Sequence, residues 1–249
     1  MKLTVVGSSG SFPSAESACS CYLVEADGFT LVLDLGNGAL GALQKYTGLY
    51  DVDAVVLSHL HPDHCIDLLA YYVARNYRFE GCPAPLPVFG PTGTAGRLAR
   101  AYGDMDEDPG MKGVFDFRTL SEGVFELGPF TITAAQVAHP VEAYGFRVEH
   151  DGRSFVYTGD TGPCHQLVDL SRGADLLLSE AAYTHGKEEF ADVHLNGRQA
   201  GELATAAGVR RLVLTHIPPW TDPERNASDA AGTYDGPVEL ARPGAVYEI

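Results

Sequence analysis

The sequence predicts an α/β fold in which two β-sheets pack face to face with helices on the outside. Two observations predict it. The chain has two halves rich in short apolar strands, and each half is followed by segments with helical length and periodicity. Each half also contains an Asp-Gly pair between two strands, at 27–28 and at 151–152, which is typical of a two-residue hairpin. We therefore expect one sheet from each half, within a single domain over residues 1–249.

The first half is predicted to begin with strands and to end with helices. Apolar, β-branched runs predict strands over 3–6, 21–25, 30–33 and 52–57, with a short strand near Val88. Helical length and periodicity predict helices over 36–46, 66–77 and 94–102, the second of them opened by Asp63. An acidic loop is predicted over 103–113.

The second half repeats this order. Strands are predicted at 115–117, 124–127, 130–137, 145–149 and 154–157, and the last two are joined by the second Asp-Gly hairpin. The chain then alternates between the two, with helices predicted over 165–170 and 197–207 and strands over 175–178 and 211–214. Neither a repeat nor a linker divides the chain, which favours one domain.

The composition limits the class of partner. Of 249 residues, 45% are hydrophobic, which is enough for one large core. The chain has 33 acidic and 17 basic residues and a formal charge of −16, which argues against an extended nucleic acid as partner. Bound divalent cations would offset this acidity locally, so a small anionic substrate is compatible with it.

The N-terminus and the cysteines indicate the compartment. Residues 1–10 contain only a short apolar run, and no window reaches the roughly 18 apolar residues of a membrane span, so we expect a soluble cytoplasmic protein. Five irregularly spaced cysteines are expected to be reduced thiols. Cys19 and Cys21 alternate within a strand, which favours packing over a metal clip, because no second pair completes a site.

Four side chains of the kind that bind metals follow the strand at 52–57 within six positions: His59, His61, Asp63 and His64. The two histidines at 59 and 61 leave the strand end on the same side and can converge on one ion, while the next pair falls on a turn and can reach a second. Imidazole nitrogen with carboxylate oxygen suits Zn, Mn or Fe, whereas Ca and Mg take mostly oxygen ligands. The segment therefore predicts a metal site.

Three further residues of this kind, His139, Asp160 and His216, each come one to three positions after an apolar strand. Any one of them is compatible with an ordinary polar residue at a strand end, but three recurrences favour a shared site where loops gather. They would supply the contacts that a two-metal centre needs beyond the first four. The histidines expected on the surface instead are His150, His165 and His185.

The pattern His-x-His-x-Asp-His, followed by a later His, an Asp and a final His, resembles the metallo-β-lactamase superfamily of binuclear metal hydrolases. The resemblance covers nearly the whole chain and implies that family's αββα four-layer sandwich of two mixed sheets. It also implies two divalent ions, zinc with manganese or iron as alternatives. Carried over, one ion would be held by His59, His61 and His139, the other by Asp63, His64 and His216, and both by Asp160. Asp34 resembles the family's buried Asp that supports the ligand histidines.

Three later motifs resemble the phosphodiesterase branch of this superfamily, which contains the tRNA 3′-processing endonucleases (tRNase Z) and cyclic-nucleotide phosphodiesterases. They are Gly-Asp-Thr at 159–161, Ser-Glu-Ala-Ala-Tyr at 179–183 and His-Leu-Asn-Gly-Arg-Gln-Ala at 194–200. The resemblance puts His194 near the scissile phosphate, where it would stabilise phosphoryl oxygens or protonate the leaving 3′ oxygen. Asp160, which would orient the attacking hydroxide, and Asp63 are the other catalytic candidates. The alternative for His194 is a cap on the helix that starts near Gly197.

Departures from the endonucleases favour a smaller phosphodiester. Ser179 replaces the His of their His-Glu-Ala-Thr motif, and Val156 stands where a Glu partner for their catalytic His is expected, so no His-Glu relay is expected here. About twenty residues separate Asp160 from Glu180, too few for the arm that grips tRNA. The segment Val-Val-Gly-Ser-Ser-Gly-Ser-Phe-Pro near the N-terminus and the segment after His139 resemble bacterial cyclic-nucleotide phosphodiesterases. The resemblance implies hydrolysis of a 3′,5′-cyclic nucleotide such as cAMP.

Other interpretations stay open at this point. The same centre in a tRNA 3′-processing endonuclease would cut a large substrate, and in an acyl hydrolase such as a lactonase or thioesterase it would attack a carbonyl. A regulatory protein with a vestigial site is disfavoured because all seven ligand positions are filled. The Gly- and Ser-rich loop at 7–13 either lines the site with backbone amides or is only a tight turn. The resemblance also suggests a homodimer.

Overall fold

The computed structural model describes residues 1–103, 108–188, 190 and 192–249. Its strands, in chain order, are β1 (Lys2–Ser9), β2 (Ala18–Cys19), β3 (Cys21–Ala26), β4 (Phe29–Leu33), β5 (Ala54–Val56), β6 (Leu86–Gly90), β7 (Phe115–Thr119), β8 (Gly123–Leu127), β9 (Phe130–Gln136), β10 (Tyr144–His150), β11 (Arg153–Tyr157), β12 (Leu176–Glu180), β13 (Leu212–Thr215), β14 (Val238–Leu240) and β15 (Val246–Glu248). The helices are α1 (Ala39–Leu43), α2 (Pro62–Cys65), α3 (Leu68–Asn76), α4 (Thr94–Tyr102), α5 (His165–Ser171), α6 (Gly197–Ala207) and α7 (Pro223–Ala231). A 3₁₀ turn covers Met111–Gly113.

The strands form two mixed sheets. One has the order β15-β1-β3-β4-β5-β6-β7, with β2 beside β1, and the other has the order β14-β13-β12-β11-β10-β9-β8. In each sheet an antiparallel meander gives way to parallel pairing, from β4 to β7 in the first sheet and from β11 to β14 in the second. The predicted αββα sandwich of two mixed sheets is confirmed.

Three apolar layers hold the sandwich together. The central layer lies between the sheets and includes Tyr22, Phe146 and Phe155, which are fully buried. A second layer lies between the first sheet and helices α1, α3 and α4, and a third lies between the second sheet and helices α5 and α6. Cys21 belongs to the second layer, as the packing interpretation of the Cys19 and Cys21 pair predicts.

The two Asp-Gly hairpins form as predicted. Asp27 and Gly28 have φ of 49° and 77°, and Asp151 and Gly152 have φ of 49° and 71°. Both central residues are therefore left-handed, which is the backbone of a type I′ turn and explains why an Asp-Gly pair occupies each one. The first turn joins β3 to β4, and the second joins β10 to β11.

Two predicted helices are shorter than expected. The helix predicted over 36–46 is α1, which begins after Gly38 at φ 78°. Gly36 lies outside it and packs against the backbone of Asp63, where a Cβ would lie 1.9 Å from the Asp63 carbonyl oxygen. The helix predicted over 66–77 is α3, and Asp63 does not open it but lies in the separate helix α2.

The C-terminal part of the chain carries elements that the apolar pattern did not indicate. Helix α7 has few apolar residues, but Asp222 caps it and Pro223 occupies its first turn, which is a usual start signal. Strands β14 and β15 have only three residues each and extend the sheet edges. Residues 104–107 of the predicted acidic loop lie outside the described residues. Among the helices in the described ranges, none has the length and apolarity needed to cross a membrane.

Candidate metal centre

The strand ends of both sheets meet at one edge of the sandwich. Strand β5 of the first sheet leads into Ser58, whose carbonyl accepts a hydrogen bond from the Tyr144 amide of the second sheet at 3.0 Å. At the same edge, Ser9 pairs with Ile217, so the ends of β1 and β13 are also joined. Because the parallel strands of each sheet end here, the loops that follow them converge.

One cluster consists of three imidazoles and a carboxylate: His59, His61, His139 and Asp160, whose ligand-type atoms lie within 4.8 Å of one another. His59 Nε2 is 3.0 Å from His61 Nδ1, and His139 Nε2 is 3.2 Å from the same nitrogen. The other nitrogen of His139 contacts the Val193 carbonyl at 3.0 Å, which fixes that ring. Three ring nitrogens therefore point at one small volume.

The imidazoles of this cluster are held in the neutral form that a metal requires. Burial lowers the pKa of His59 well below its usual value, and it also lowers the pKa of His61. Burial lowers the pKa of His139 to about 4. Neutral imidazoles keep a lone pair on the converging nitrogens, and those lone pairs repel each other unless a cation lies between them.

The second cluster consists of Asp63, His64, Asp160 and His216, again within 4.8 Å of one another and all buried. Nε2 of His64 lies 3.2 Å from Asp160 Oδ1, and Nε2 of His216 lies 3.2 Å from Asp160 Oδ2. Among the described residues, none makes a hydrogen bond to His64 Nε2, His216 Nε2 or Asp160 Oδ1. Buried polar atoms without partners are costly, and three of them facing one another are the mark of a cation site.

Asp160 is the member that both clusters share. Burial would raise the pKa of its carboxyl, but His216, His64 and His59 hold that pKa well below its usual range, so the group is a carboxylate. Its Oδ1 faces His64 of the second cluster, and its Oδ2 faces both His59 of the first cluster, at 3.7 Å, and His216 of the second, at 3.2 Å, so the carboxylate lies against both clusters. The donor set of imidazoles and carboxylates suits divalent metals. The structure thus brings together all seven predicted ligand residues in the predicted two sets.

Asp34 orients the second cluster from behind. Its Oδ2 is 2.8 Å from His64 Nδ1 and accepts hydrogen bonds from the Ser58 and Tyr157 hydroxyls, each at 2.7 Å. The Ser58 amide donates to Oδ1, also at 2.7 Å. Since Nδ1 of His64 faces this carboxylate, Nε2 is the nitrogen left for the metal, and the sequence-based role of Asp34 fits this arrangement.

We expect Asp34→Asn to weaken metal binding by about 10- to 100-fold, because the neutral amide no longer fixes the His64 ring or its proton. The measurement is a competition titration of the metal-free protein against a chromophoric chelator. Asp53→Asn is the matched control, since Asp53 also accepts a backbone amide, from Thr30 at 2.8 Å, but is exposed and outside both clusters. Equal affinities in the two variants would contradict the role of Asp34.

The Gly- and Ser-rich loop contacts the centre directly. The Ser11 amide donates to Asp63 Oδ2 at 2.8 Å, and Ser11 adopts φ of 64° to do so. Gly10 packs against His216, where a Cβ would come within 2.5 Å of the carbonyl oxygen. Ser20 holds the imidazole ring of His216 from the other side, with its Oγ 3.0 Å from His216 Nδ1. Of the two interpretations of this loop, lining the site is therefore the one that the structure supports.

His194 lies beside the clusters and is paired with Glu180. Its Nδ1 is 2.8 Å from Glu180 Oε1 and 4.0 Å from Asp160 Oδ2. The expectation that this chain has no His-Glu pair is wrong. From the sequence, the Glu partner of His194 was sought at position 156, which is Val, but the partner is Glu180 at the end of β12. The sequence already contained the signal, since the Ser-Glu-Ala-Ala motif keeps the Glu although it lacks the His.

Glu180 is occupied by hydrogen bonds rather than available to a third ion. Its Oε1 also accepts the Thr161 amide at 2.7 Å, and its Oε2 accepts the Ala182 amide at 3.1 Å. His194 is likewise not the cap of α6, because Asn196 caps that helix through a reciprocal pair of hydrogen bonds with Gln199. His194 is thus free of the capping role and faces the centre.

The remaining histidines lie outside the clusters found among the described residues. His165 and His185 are exposed, as expected. His150 is less exposed than expected because its Nε2 contacts Asp27 Oδ2 at 2.9 Å across the two hairpins. These three residues take no part in the site.

Comparison with known proteins agrees with this architecture. The profile of the Beta-lactamase superfamily domain matches residues 31–217. Over its whole length the chain is 43% identical to the Mycobacterium leprae protein ML1173, covering 89% of that protein. It is 32% identical to the probable metallo-hydrolase YhfI of Bacillus subtilis over 257 residues, with full coverage of both chains. It is 28% identical to ribonuclease Z of Myxococcus xanthus over 304 residues, covering 98% of that enzyme.

The crystal structure of YhfI superimposes on the chain with a TM-score of 0.88, at 30% identity and 99% coverage of each chain. Fold and site together define a metal-dependent hydrolase. The chain belongs to the metallo-β-lactamase superfamily. Its similarity to ribonuclease Z along the full chain supports the tRNase Z-like branch that the motifs predicted.

Proposed function

We propose that the chain is a metal-dependent phosphodiesterase whose substrate is a 3′,5′-cyclic nucleotide such as cAMP. The observation that carries the phosphodiesterase part of this proposal is the His194–Glu180 pair beside Asp160. A phosphodiester needs positive charge at its phosphoryl oxygens and a proton for the oxygen that leaves. A cationic imidazole next to a metal centre supplies both.

The protonation of His194 follows from its surroundings. Burial lowers its pKa, but the charge and hydrogen bond of Glu180 and the charge of Asp160 together raise the pKa of His194 to about 9. In the metal-free protein the imidazole is therefore protonated at neutral pH. Nδ1 donates to Glu180, which leaves the Nε2 proton for the substrate. A general acid placed in this way contributes a rate enhancement of about 100- to 10,000-fold.

Two divalent ions complete the proposed centre. Zinc is the first choice for this donor set, with manganese or iron as alternatives. The ligands would be His59, His61 and His139 for one ion, Asp63, His64 and His216 for the other, and Asp160 for both. When bound, the ions supply Lewis-acid chemistry, lowering the pKa of water and neutralising phosphoryl charge.

A small substrate is favoured over a tRNA for two reasons. The formal charge of −16 repels a long polyanion. The alignment with the M. xanthus ribonuclease Z extends over 304 positions against 249 residues in this chain, whereas the alignment with YhfI extends over 257, so ribonuclease Z has insertions that this chain lacks. The His194–Glu180 pair does not distinguish the two substrates, because it is present here as it is expected in the endonucleases.

The second candidate is therefore a tRNA 3′-processing endonuclease. Two observations favour it: the full-length similarity to ribonuclease Z and the His194–Glu180 pair. An acyl hydrolase would use the same metal clusters, but the cationic His194 is better placed for a phosphoryl group than for a neutral carbonyl.

A single panel of substrates distinguishes the three candidate functions: cyclic-nucleotide phosphodiesterase, tRNA endonuclease and acyl hydrolase. We expect the zinc- or manganese-loaded protein to hydrolyse cAMP, measured as AMP formed, with a larger kcat/KM than for unprocessed tRNA, a p-nitrophenyl ester or a lactone. Cyclic GMP and a 2′,3′-cyclic nucleotide belong in the same panel. Turnover of the ester and the lactone alone would overturn the phosphodiesterase proposal, and faster cutting of tRNA would establish the second candidate.

A further inference from the structure

An exposed pair of aromatic rings is carried by the two segments that flank the second metal cluster. Phe12 and Trp220 are 42% and 70% exposed, and their ring centroids are 5.0 Å apart with the planes inclined by 40°. Each ring is carried on a segment that touches a metal-ligand residue. Large apolar side chains held open to solvent are a common mark of a binding site.

Phe12 is tied to the second cluster through its neighbour. The preceding residue, Ser11, donates its amide to Asp63 Oδ2 at 2.8 Å. The Phe12 backbone is fixed on both sides, since its amide donates to the Gly10 carbonyl and its carbonyl accepts the Ser9 hydroxyl, each at 2.7 Å. The ring therefore stands on a rigid loop one residue from a contact with a ligand carboxylate.

Trp220 is tied to the same cluster from the other segment. It follows the ligand residue His216 by four positions, on a turn closed by the Thr221 amide and the Pro218 carbonyl at 2.8 Å. Thr221 is buried and its hydroxyl donates to the Ala182 carbonyl at 3.0 Å. The two segments are joined where the Gly10 amide donates to the Ile217 carbonyl at 3.3 Å. The backbone segments that carry the two rings are thus joined to the segments that hold Asp63 and His216.

We propose that Trp220, supported by Phe12, is the platform on which the nucleobase of the substrate stacks. This inference rests on the proposed phosphodiesterase function and specifies its substrate class: a nucleoside phosphodiester, rather than a diester without a base. The metal clusters determine where the phosphate binds, and the attached base needs a planar surface nearby. The indole ring of Trp220 is such a surface, and any base can stack on it because every base has a π-face.

The geometry of the pair specifies how the base binds. A base inserted between two rings needs centroids roughly 7 Å apart, twice the van der Waals contact distance. The observed 5.0 Å closes that space, so the base stacks on an outer face. Trp220 is the more exposed ring and takes the base, and Phe12 holds the indole in position. Loss of Trp220 is therefore expected to have a larger effect than loss of Phe12.

Trp220 is the single tryptophan of the chain, so its fluorescence reports directly on stacking. In the metal-loaded protein we expect AMP to quench the indole emission, with saturation, and ribose 5-phosphate to leave it unchanged, because both carry the phosphate but only AMP carries a base. This measurement does not depend on turnover. Absence of quenching, or the same response to both ligands, in protein that hydrolyses cAMP would overturn the platform while leaving the proposed function intact.

Kinetics provide the second readout. We expect Trp220→Ala to lower the ratio of kcat/KM for cAMP to kcat/KM for the abasic ribose 3′,5′-cyclic phosphate by on the order of tenfold, chiefly through KM for cAMP. Trp220→Phe keeps a ring and should restore most of the ratio, and Phe12→Ala should lower it less. Phe79→Ala is the control, because Phe79 is fully exposed beyond the far end of α3.

The same variants separate base recognition from self-association. An unchanged ratio in Trp220→Ala, or an equal loss of kcat/KM for both substrates, would contradict the proposal. A change in molar mass by light scattering without a change in the ratio would identify the rings as a contact between two copies of the chain, and it would also overturn the proposal.

Discussion

Replacing Asp160 by asparagine is expected to lower activity on any phosphodiester substrate by on the order of a thousandfold or more and to reduce the bound metal below two ions per chain. Asp160 is the residue that both clusters share, and its two oxygens face His64 and His216 at 3.2 Å. The amide offers one neutral oxygen in place of two charged ones, so one ion loses its anionic ligand. The catalytic contribution of that ion, several kcal/mol, is lost with it.

Metal content by inductively coupled plasma mass spectrometry and turnover measure the two effects together. Asp175→Asn is the matched control in the same sheet: Asp175 is partly buried and pairs with Arg153 and Arg210, but it lies at the opposite end of β12 from Glu180. Near-ultraviolet circular dichroism checks that both variants are folded. Two bound ions and normal turnover in Asp160→Asn would show that this residue does not bridge the centre.

Replacing His194 by alanine is expected to lower kcat by about 100- to 10,000-fold while both metal ions remain bound. His194 bonds to Glu180 rather than to the imidazoles of either metal cluster, so its removal leaves all seven ligands in place. The alanine variant lacks only the Nε2 proton that we propose His194 directs to a phosphoryl oxygen or to the leaving oxygen. Turnover equal to that of the wild-type protein would remove His194 from the reaction, and loss of metal would make it a ligand.

Glu180→Gln is the companion variant that tests the role of the pair. The Glu180 carboxylate raises the pKa of His194 to about 9 against the effect of burial. Without it, burial lowers the pKa, so the imidazole loses its proton at a lower pH. The alkaline limb of the kcat profile should therefore move to lower pH in this variant, and activity should be lost first at high pH. A profile with the same alkaline limb would show that the protonated form of His194 is not required.

Much of this centre was predictable from the sequence, because its ligands obey a local rule. His59, His61, Asp63 and His64 follow a strand within six positions, and strand ends bring ligands together without any knowledge of long-range packing. The helix over 197–207 was also predicted with its observed bounds, although its N-cap is Asn196 and not His194.

The parts that were missed depend on contacts between distant segments. The pairing of Glu180 with His194 joins the end of β12 to the segment before α6, and although the Ser-Glu-Ala-Ala motif keeps the Glu, the sequence does not show which residue is its partner. Helix α1 was predicted to start at residue 36, but it begins after the left-handed Gly38, and Gly36 packs instead against the Asp63 backbone. The contact between the exposed rings of Phe12 and Trp220 could not be predicted from the sequence either, since the two residues are more than 200 positions apart.

The substrate class and the metal centre depend on different features of the molecule. Ligand positions are fixed by coordination geometry, whereas discrimination between a cyclic nucleotide and a tRNA depends on the surface around the centre. The chain as a whole is acidic, with 33 acidic against 17 basic residues. The Trp220 platform is the local feature from which nucleotide recognition can be tested.

We propose that the two clusters form one binuclear centre that hydrolyses phosphodiesters. Its most direct test is the rate of hydrolysis of bis(p-nitrophenyl) phosphate as zinc or manganese is added stepwise to the metal-free protein. The seven ligands in two sets sharing Asp160 predict that activity rises to a plateau at two equivalents of metal per chain. A plateau at one equivalent, or no hydrolysis at any metal concentration, would contradict it.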